Sequence, residues 1–190
     1  MSTISFSLAD LFEQQFGYKS NSFSFPSLPV KNKVSKSGTD LYDNDAFGRE
    51  FFMPVWIGPT RDSLIQLQYP VIRIECKKTI VSTPMIERTG TVKELINTQD
   101  HKIIIKGLII GSDAQWPEDQ IAELKGLFSI QDSLIIKSAL TDLFLVTPER
   151  GGSDKVVITD LKLPEAKGAL NVRAYELELI SDEGFNLIEI

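Results

Sequence analysis

Three groups of side chains in this sequence are of types that could do chemistry. Glu176 and Glu178 stand two apart in the run Tyr175-Glu-Leu-Glu-Leu179. On an extended strand that spacing puts both carboxylates on one face about 7 Å apart, in the range of a paired-carboxylate acid/base site. The same alternation marks the solvent-facing side of any half-buried strand, where carboxylates also discourage edge-to-edge aggregation, and that plainer reading takes precedence. His101 is the only imidazole. A general base needs an orienting carboxylate, and Asp100 cannot supply it because neighbouring side chains on a strand point to opposite faces. His101 reads as a polar residue at the entry to a strand. Cys76 follows Ile72 and Ile74 in one alternation, so it is expected in the core, where an apolar setting keeps a thiol protonated and inert.

Composition closes most other routes to catalysis. One histidine and one cysteine in 190 residues cannot build a His-rich metal site or a Cys-based zinc site. No phosphate-binding P-loop, dinucleotide fingerprint, zinc-protease helix, serine nucleophile elbow or calcium loop occurs. Gly107-Leu-Ile-Ile-Gly111 lacks the Lys and Ser/Thr of a phosphate cradle, so its glycines read as a bulge and a turn. The expectation is a protein without catalytic residues, cofactor or metal. The formal net charge of −6 and a pI near 4.9 argue against wrapping nucleic acid, whose phosphates need clustered Lys and Arg. From Arg173 to Ile190 the charges are five acidic residues against Arg173, an acidity able to line a channel or face a basic partner. Apolar runs such as Ile103 to Ile105 fall far short of the ~18 residues of a membrane span. Met1 to Leu8 carries no Lys or Arg, so the expectation is a soluble product of the cytoplasm without a Sec signal.

The elements that would position these residues divide the chain in two. Residues 1–48 read as an N-terminal arm. Leu8, Leu11, Phe12 and Phe16 form one apolar stripe behind Ser7-x-x-Asp10, a short amphipathic helix that must dock on its own domain or on a neighbouring subunit to persist. From Ser20 to Asp45 the chain is dense in Ser, Asn, Pro and Asp, with no sustained period. Residues 49–190 read as the folded domain. Strands are expected at Phe51–Ile57, with Pro54 at an edge or bulge, and from Leu64 to Val81 with a kink at Tyr69-Pro70. His101–Ile110 is the central strand, and shorter strands follow at Leu134–Lys137, Leu143–Thr147, Val156–Ile158 and Tyr175–Leu179. Pro117 opens a helix to about Phe128 whose Ile121, Leu124, Leu127 and Phe128 make the apolar face. The predicted class is mainly β (α+β): an antiparallel β-sandwich or partly open barrel with one packed helix, about 117–128.

Between the second and central strands lies Pro84 to Asp100. Thr91-x-x-Glu94 fits a capping box and Val92, Leu95 and Ile96 fit one helical turn, so the segment reads as a loop with a single turn. It is long for a simple connection and mixes apolar Met85, Ile86, Val92, Leu95 and Ile96 with charged Arg88 and Glu94. It is therefore a candidate surface between subunits.

The run Lys78-Thr-Ile-Val-Ser-Thr-Pro84, then Glu87-Arg-Thr-Gly-Thr-Val-Lys-Glu-Leu-Ile96, then Lys102-Ile-Ile-Ile-Lys-Gly107 resembles a family of uncharacterised phage tail and baseplate proteins. The order of elements from Phe51 to Asp182 is also similar to the tail-tube-like β-sandwich of tube, terminator and distal tail proteins. The resemblance implies a virion tail component that forms a homo-oligomeric ring, with six subunits one option. It also implies contacts with other tail or baseplate proteins, with DNA passing through the lumen and neither sequence-specific binding nor a membrane involved. The arm to Asp45 does not carry the pattern. The alternative is a β-sandwich module for carbohydrate or protein, with Trp56, Trp116, Tyr69 or Tyr175 stacking on the ligand.

Overall fold

The alternation at Tyr175–Leu179 belongs to a longer strand in which Ala174, Tyr175, Leu177 and Leu179 are fully buried while Glu176 and Glu178 stay half-buried. The computed structural model describes residues 17, 33–35, 37–44, 48, 50–86, 89–111, 115–145, 153–164 and 171–182. Within them the chain runs through β1 (Tyr42–Asn44), β2 (Glu50–Phe52), β3 (Trp56–Gly58), β4 (Ile65–Gln66), β5 (Val71–Glu75), β6 (Lys78–Pro84), β7 (Thr91–Thr98) and β8 (Lys102–Ile110). It continues through α1 (Glu118–Phe128), β9 (Leu134–Lys137), α2 (Ala139–Phe144), β10 (Lys155–Lys162) and β11 (Val172–Ser181). The fold is mainly β, as expected, with antiparallel sheets and packed helix.

Seven strands make one antiparallel sheet in the order β4-β3-β9-β10-β11-β8-β5. Its two edges, β4 and β5, are consecutive in the chain, joined only by residues 67–70. The sheet therefore curls, and the inside of the curve holds the core: Ile57, Ile103, Ile105, Ile109, Leu134, Ile136, Val156, Tyr175, Leu177 and Leu179, with Leu124 and Leu127 of α1 packed into it. Burial of this kind is worth about 1.5–3 kcal/mol per large side chain. Tyr175 sits at the centre. Its hydroxyl donates to the Gln68 carbonyl at 3.0 Å, and the Ile110 N–H donates to Gln68 Oε1 at 3.0 Å, so the link between the edges is tied to the sheet. The cross-strand partner of Tyr175 is Gly107, because a Cβ there would collide with the tyrosine ring and hydroxyl.

Several sequence expectations are corrected. The strand over Phe51–Ile57 is two strands, since Met53 takes φ +61° and Pro54, with no N–H, follows it. The stretch from Leu64 to Val81 is three strands in two sheets, broken at Tyr69 (φ +44°) and again after Glu75. Cys76 is exposed, because the β5 ladder ends at the Glu75–Lys102 pair and the next residue has left the sheet. Leu143–Phe144 lies in α2, where an extended Ser138 precedes Ala139 and Leu140, and Asp142 N–H donates to the Ser138 carbonyl at 2.9 Å. Phe128 is 47% exposed, at the margin of the buried helix face. The proposed arm helix at Leu8–Phe16 lies outside the described residues. Residues 39–44 are attached to the domain: β1 pairs β2, buried Thr39 donates to the Asp142 carboxylate, and Gln66 Nε2 donates to Asp43 at 2.7 Å.

Gly107→Ala should cost about 3 kcal/mol in denaturant unfolding, since the added methyl overpacks against Tyr175. Gly126→Ala, in α1 with open space around it, should instead stabilise by about 0.5–1 kcal/mol. Equal effects at the two positions would contradict this packing.

Candidate interaction surfaces

β6 and β7 make the first surface. The segment expected to be a loop with one helical turn is a strand that pairs back on β6 from Pro84↔Thr91 to Lys78↔Thr98. The local reason is composition: Thr91, Val92, Ile96 and Thr98 are β-branched, and Gly90 at φ +112° supplies the turn residue that side chains rarely adopt. The capping-box spacing of Thr91 and Glu94 is coincidental to the strand. Because β5 pairs directly with β8, the chain between them has no place in the large sheet and leaves it as a hairpin. Every residue of β7 is exposed, and of β6 only Thr79 is half-buried.

This hairpin nevertheless carries apolar residues on both strands. Ile80 is 52% exposed, Leu95 59% and Ile96 60%; a register irregularity between Thr79 and Ile80 sets Leu95 and Ile96 together across from Ile80. Val81, Met85 and Val92 are also exposed, and Ile86 near the turn is 91% exposed. Of the residues picked from sequence, Met85, Ile86, Val92, Glu94, Leu95 and Ile96 thus share one projecting element. Arg88 lies outside the described residues, as do Leu8, Leu11, Phe12 and Phe16. Ile80 and Val81 were missed, although the β-branched run of Lys78–Pro84 is a strand signal and an exposed partner strand follows from it.

The second surface is the outer face of the large sheet. Register sets Lys162, Glu176, Lys106 and Val71 in one row across β10, β11, β8 and β5, and Asp160, Glu178, Ile104 and Arg73 in the next. Asp160 and Glu178 face each other as like charges, a destabilising pair, and Lys162 bridges them at 2.9 and 2.6 Å. Lys102 reaches Glu178 at 2.6 Å, Lys106 reaches Glu176 at 3.1 Å, and Glu75 holds Arg73 at 2.7 Å with Lys77 at 4.0 Å. The hydrogen bonds from Lys102 and Lys162 hold the Glu178 carboxyl down to about 2, while Glu178 and Asp160 push the Lys162 ammonium up. Glu178 is therefore a structural anion and not the raised carboxylic acid a catalytic pair needs.

The remaining candidates are placed as follows. His101 is half-buried, its ring edge-on to Phe144 at 6.5 Å, its backbone N–H donating to Ser181 Oγ at 2.8 Å and its Nδ1 buried without a partner among the described residues. No group of three His, Cys, Asp or Glu among the described residues is arranged to hold a metal. No helix among them is long and apolar enough to cross a membrane. Of the four aromatic residues considered for stacking on a ligand, Tyr69 and Tyr175 are buried and Trp116 has the Arg173 guanidinium 6.0 Å from its ring. Trp56 lines a groove with Thr39, Asp40, Leu64 and Lys137.

A carboxylate whose folded-state proton affinity is depressed adds stability above its unfolded value of about 4.3, and that contribution is lost as the pH falls through the folded value. Wild-type melting temperature should therefore drop more steeply between pH 4.5 and 2 than that of Glu178→Gln. Parallel curves would show that the lysine pairs at Glu178 do not act in solution.

Among curated proteins, none matches the chain by sequence. Solved structures with a similar chain include the tail of an empty gene transfer agent particle with C6 symmetry, at 15% identity over 71% of this chain and 94% of that one, TM-score 0.40. Another is the sheath/tube terminator of an extracellular contractile injection system in its extended state, at 14% identity over 69% and 89%, TM-score 0.38. A third is from the virion of a native gene transfer agent particle, at 16% identity over 68% and 92%, TM-score 0.37. The family described as a domain of unknown function, DUF6046, matches residues 66–189, from the end of β4 through β11 and beyond, and the chain belongs to it.

Proposed function

We propose that this protein is a structural component of a phage tail or baseplate, or of a related injection machine, which assembles as a ring around or beside the tail tube. The β6–β7 hairpin is the element that reaches the neighbouring subunit. One observation carries the reading: a hairpin whose second strand is wholly exposed presents Ile80, Ile86, Leu95 and Ile96 to solvent. Isolated two-stranded hairpins are marginal in water, and contiguous exposed apolar surface marks sites of protein contact. The resemblance to phage tail proteins, whose motifs fall on β6, β7 and β8, supplies the setting. In that setting the work is assembly, in the virion tail, with a second copy of the chain and other tail or baseplate proteins as partners. The chemistry of the outer face fits it, since its carboxylates are spent on lysines. A carbohydrate-binding module has less support, with two of its four candidate aromatics buried.

The test is the mass of the purified protein in solution. Wild type should form oligomers at micromolar concentration by light scattering, and Ile80→Lys with Leu95→Glu, which sets opposite charges across the hairpin, should be monomeric. Because both residues are more than half exposed, the variant's stability should change by no more than about 0.5 kcal/mol. Unchanged assembly of the variant, or a monomeric wild type, would overturn the proposal.

A further inference from the structure

β11 ends where the hairpin begins. Its last residues are still laddered on both sides: the Ser181 N–H donates to the His101 carbonyl and the Asp182 N–H to the Lys155 carbonyl, each at 2.9 Å. β7 leads into β8 through residues 99–101 alone, and β5 leads into β6 through Cys76 and Lys77 alone. In the sheet order β11-β8-β5 the hairpin therefore prolongs the β8–β5 pair, with β7 on the side of β11. β7 pairs with β6 alone among the described residues, so its edge toward β11 is unpaired. At the base of that edge is an open hollow, with Asn97, Thr98 and Gln99 on one side and Ile180 of β11 on the other.

The chain beyond β11 has a composition that suits this edge. Residues 183–190, Glu183-Gly-Phe-Asn-Leu-Ile-Glu-Ile190, lie outside the described residues; they number eight, as β7 does, and carry two carboxylates, four large apolar side chains and no cation. The hairpin has the opposite balance, since residues 77–98 carry four cations against two carboxylates. Register also sorts its charges by face. Ile80↔Leu95 and Ser82↔Lys93 put Lys93 on the face of Ile80 and Leu95, Lys78 joins them by alternation, and Glu94, paired with Val81, turns to the other face. Lys78 and Lys93 are exposed and make no ion pair among the described residues.

We propose that residues 183–190 continue β11 as a third strand on the β7 edge of the same chain. Carried on from Ile180↔Lys102, the register brings Leu187 to Leu95 and Glu189 to Lys93, within the one-residue step that separates the β5–β8 ladder from the β6–β7 ladder. Backbone bonds then satisfy the outward N–H and C=O groups of β7, Leu187 widens the apolar face of Ile80 and Leu95, and Glu189 meets the Lys93 ammonium. Two strands alone are marginal in water, and a third gives such an element stability of its own. Pairing at an edge leaves the side chains of both faces outward. The hairpin thus reaches a neighbouring subunit already held in shape, and the strand addition itself needs no second copy.

Hydrogen exchange of the full chain, read by mass spectrometry on peptides from β7, measures the pairing. Relative to a chain ending at Asp182, wild-type β7 should exchange about two- to tenfold more slowly for each backbone bond the tail adds. Leu187→Pro with Ile188→Pro keeps the tail's length and charge, removes two N–H groups and should exchange like the shortened chain. Peptides from β10 should exchange equally in all three proteins, as an intact domain requires. Leu95→Cys with Leu187→Cys, in a Cys76→Ser chain, identifies whose tail is bound: oxidation should close a disulfide within one chain. Exchange at β7 that neither tail variant moves overturns the inference, as does a disulfide between chains or none at all. Ile80, Leu95 and Ile96 are unchanged in both tail variants, so their mass by light scattering reports the assembly reading separately.

Discussion

The structure depends on one constraint: the two edge strands of a seven-stranded sheet are consecutive in the chain. β4 and β5 are separated by residues 67–70 alone, so the sheet cannot lie flat. Its curl needs a large side chain on the inside and a partner strand that lets that side chain through. Tyr175 and Gly107 provide both, and the buried tyrosine ends on the carbonyl of Gln68, within the link itself. α1 then covers the inside of the curve with Leu124 and Leu127. Burial in this core leaves the phenol far above its ordinary ionisation range, consistent with a side chain used as a strut.

The same closure decides what the surface offers. Once β5 has paired with β8, the chain between them is surplus to the sheet, and it emerges as a hairpin supported by its own ladder and by the Gln99 N–H to Lys77 carbonyl bond at its base. Its apolar residues are largely exposed in the single chain. Contiguous exposed apolar side chains of this kind mark sites of protein contact, which is the basis of the proposed role. Around Glu176 and Glu178 the outer face of the sheet has the opposite character, charged and cross-linked by lysine and carboxylate.

Legibility in the sequence followed the range of the interactions. β8, β11 and α1 were readable because their burial follows one element's own period, as in the alternation of Leu177 and Leu179 or the spacing of Leu124 and Leu127. Strand ends and partners were not. Cys76 continues the alternation of Ile72 and Ile74 yet falls outside, because the ladder stops one residue earlier. Thr91 and Glu94 have the spacing of a helix cap, and only pairing with Lys78–Pro84 makes them strand residues. Likewise Glu176 and Glu178 could be recognised as a wet face, while the lysines that neutralise them are set by register with β8 and β10, which a one-dimensional pattern does not carry. Of the interface candidates, Met85, Ile86, Val92, Glu94, Leu95 and Ile96 stand out in sequence as apolar and charged residues of one long connection, and their sharing of one hairpin emerges only with the fold.

The central claim is that the β6–β7 hairpin is completed by a neighbouring copy of the chain. A cryo-electron microscopy reconstruction of the assembled particle tests it most directly. The account predicts Ile80, Leu95 and Ile96, each more than half exposed in the single chain, buried against an adjacent subunit. The same three residues facing solvent in the assembled particle would contradict it.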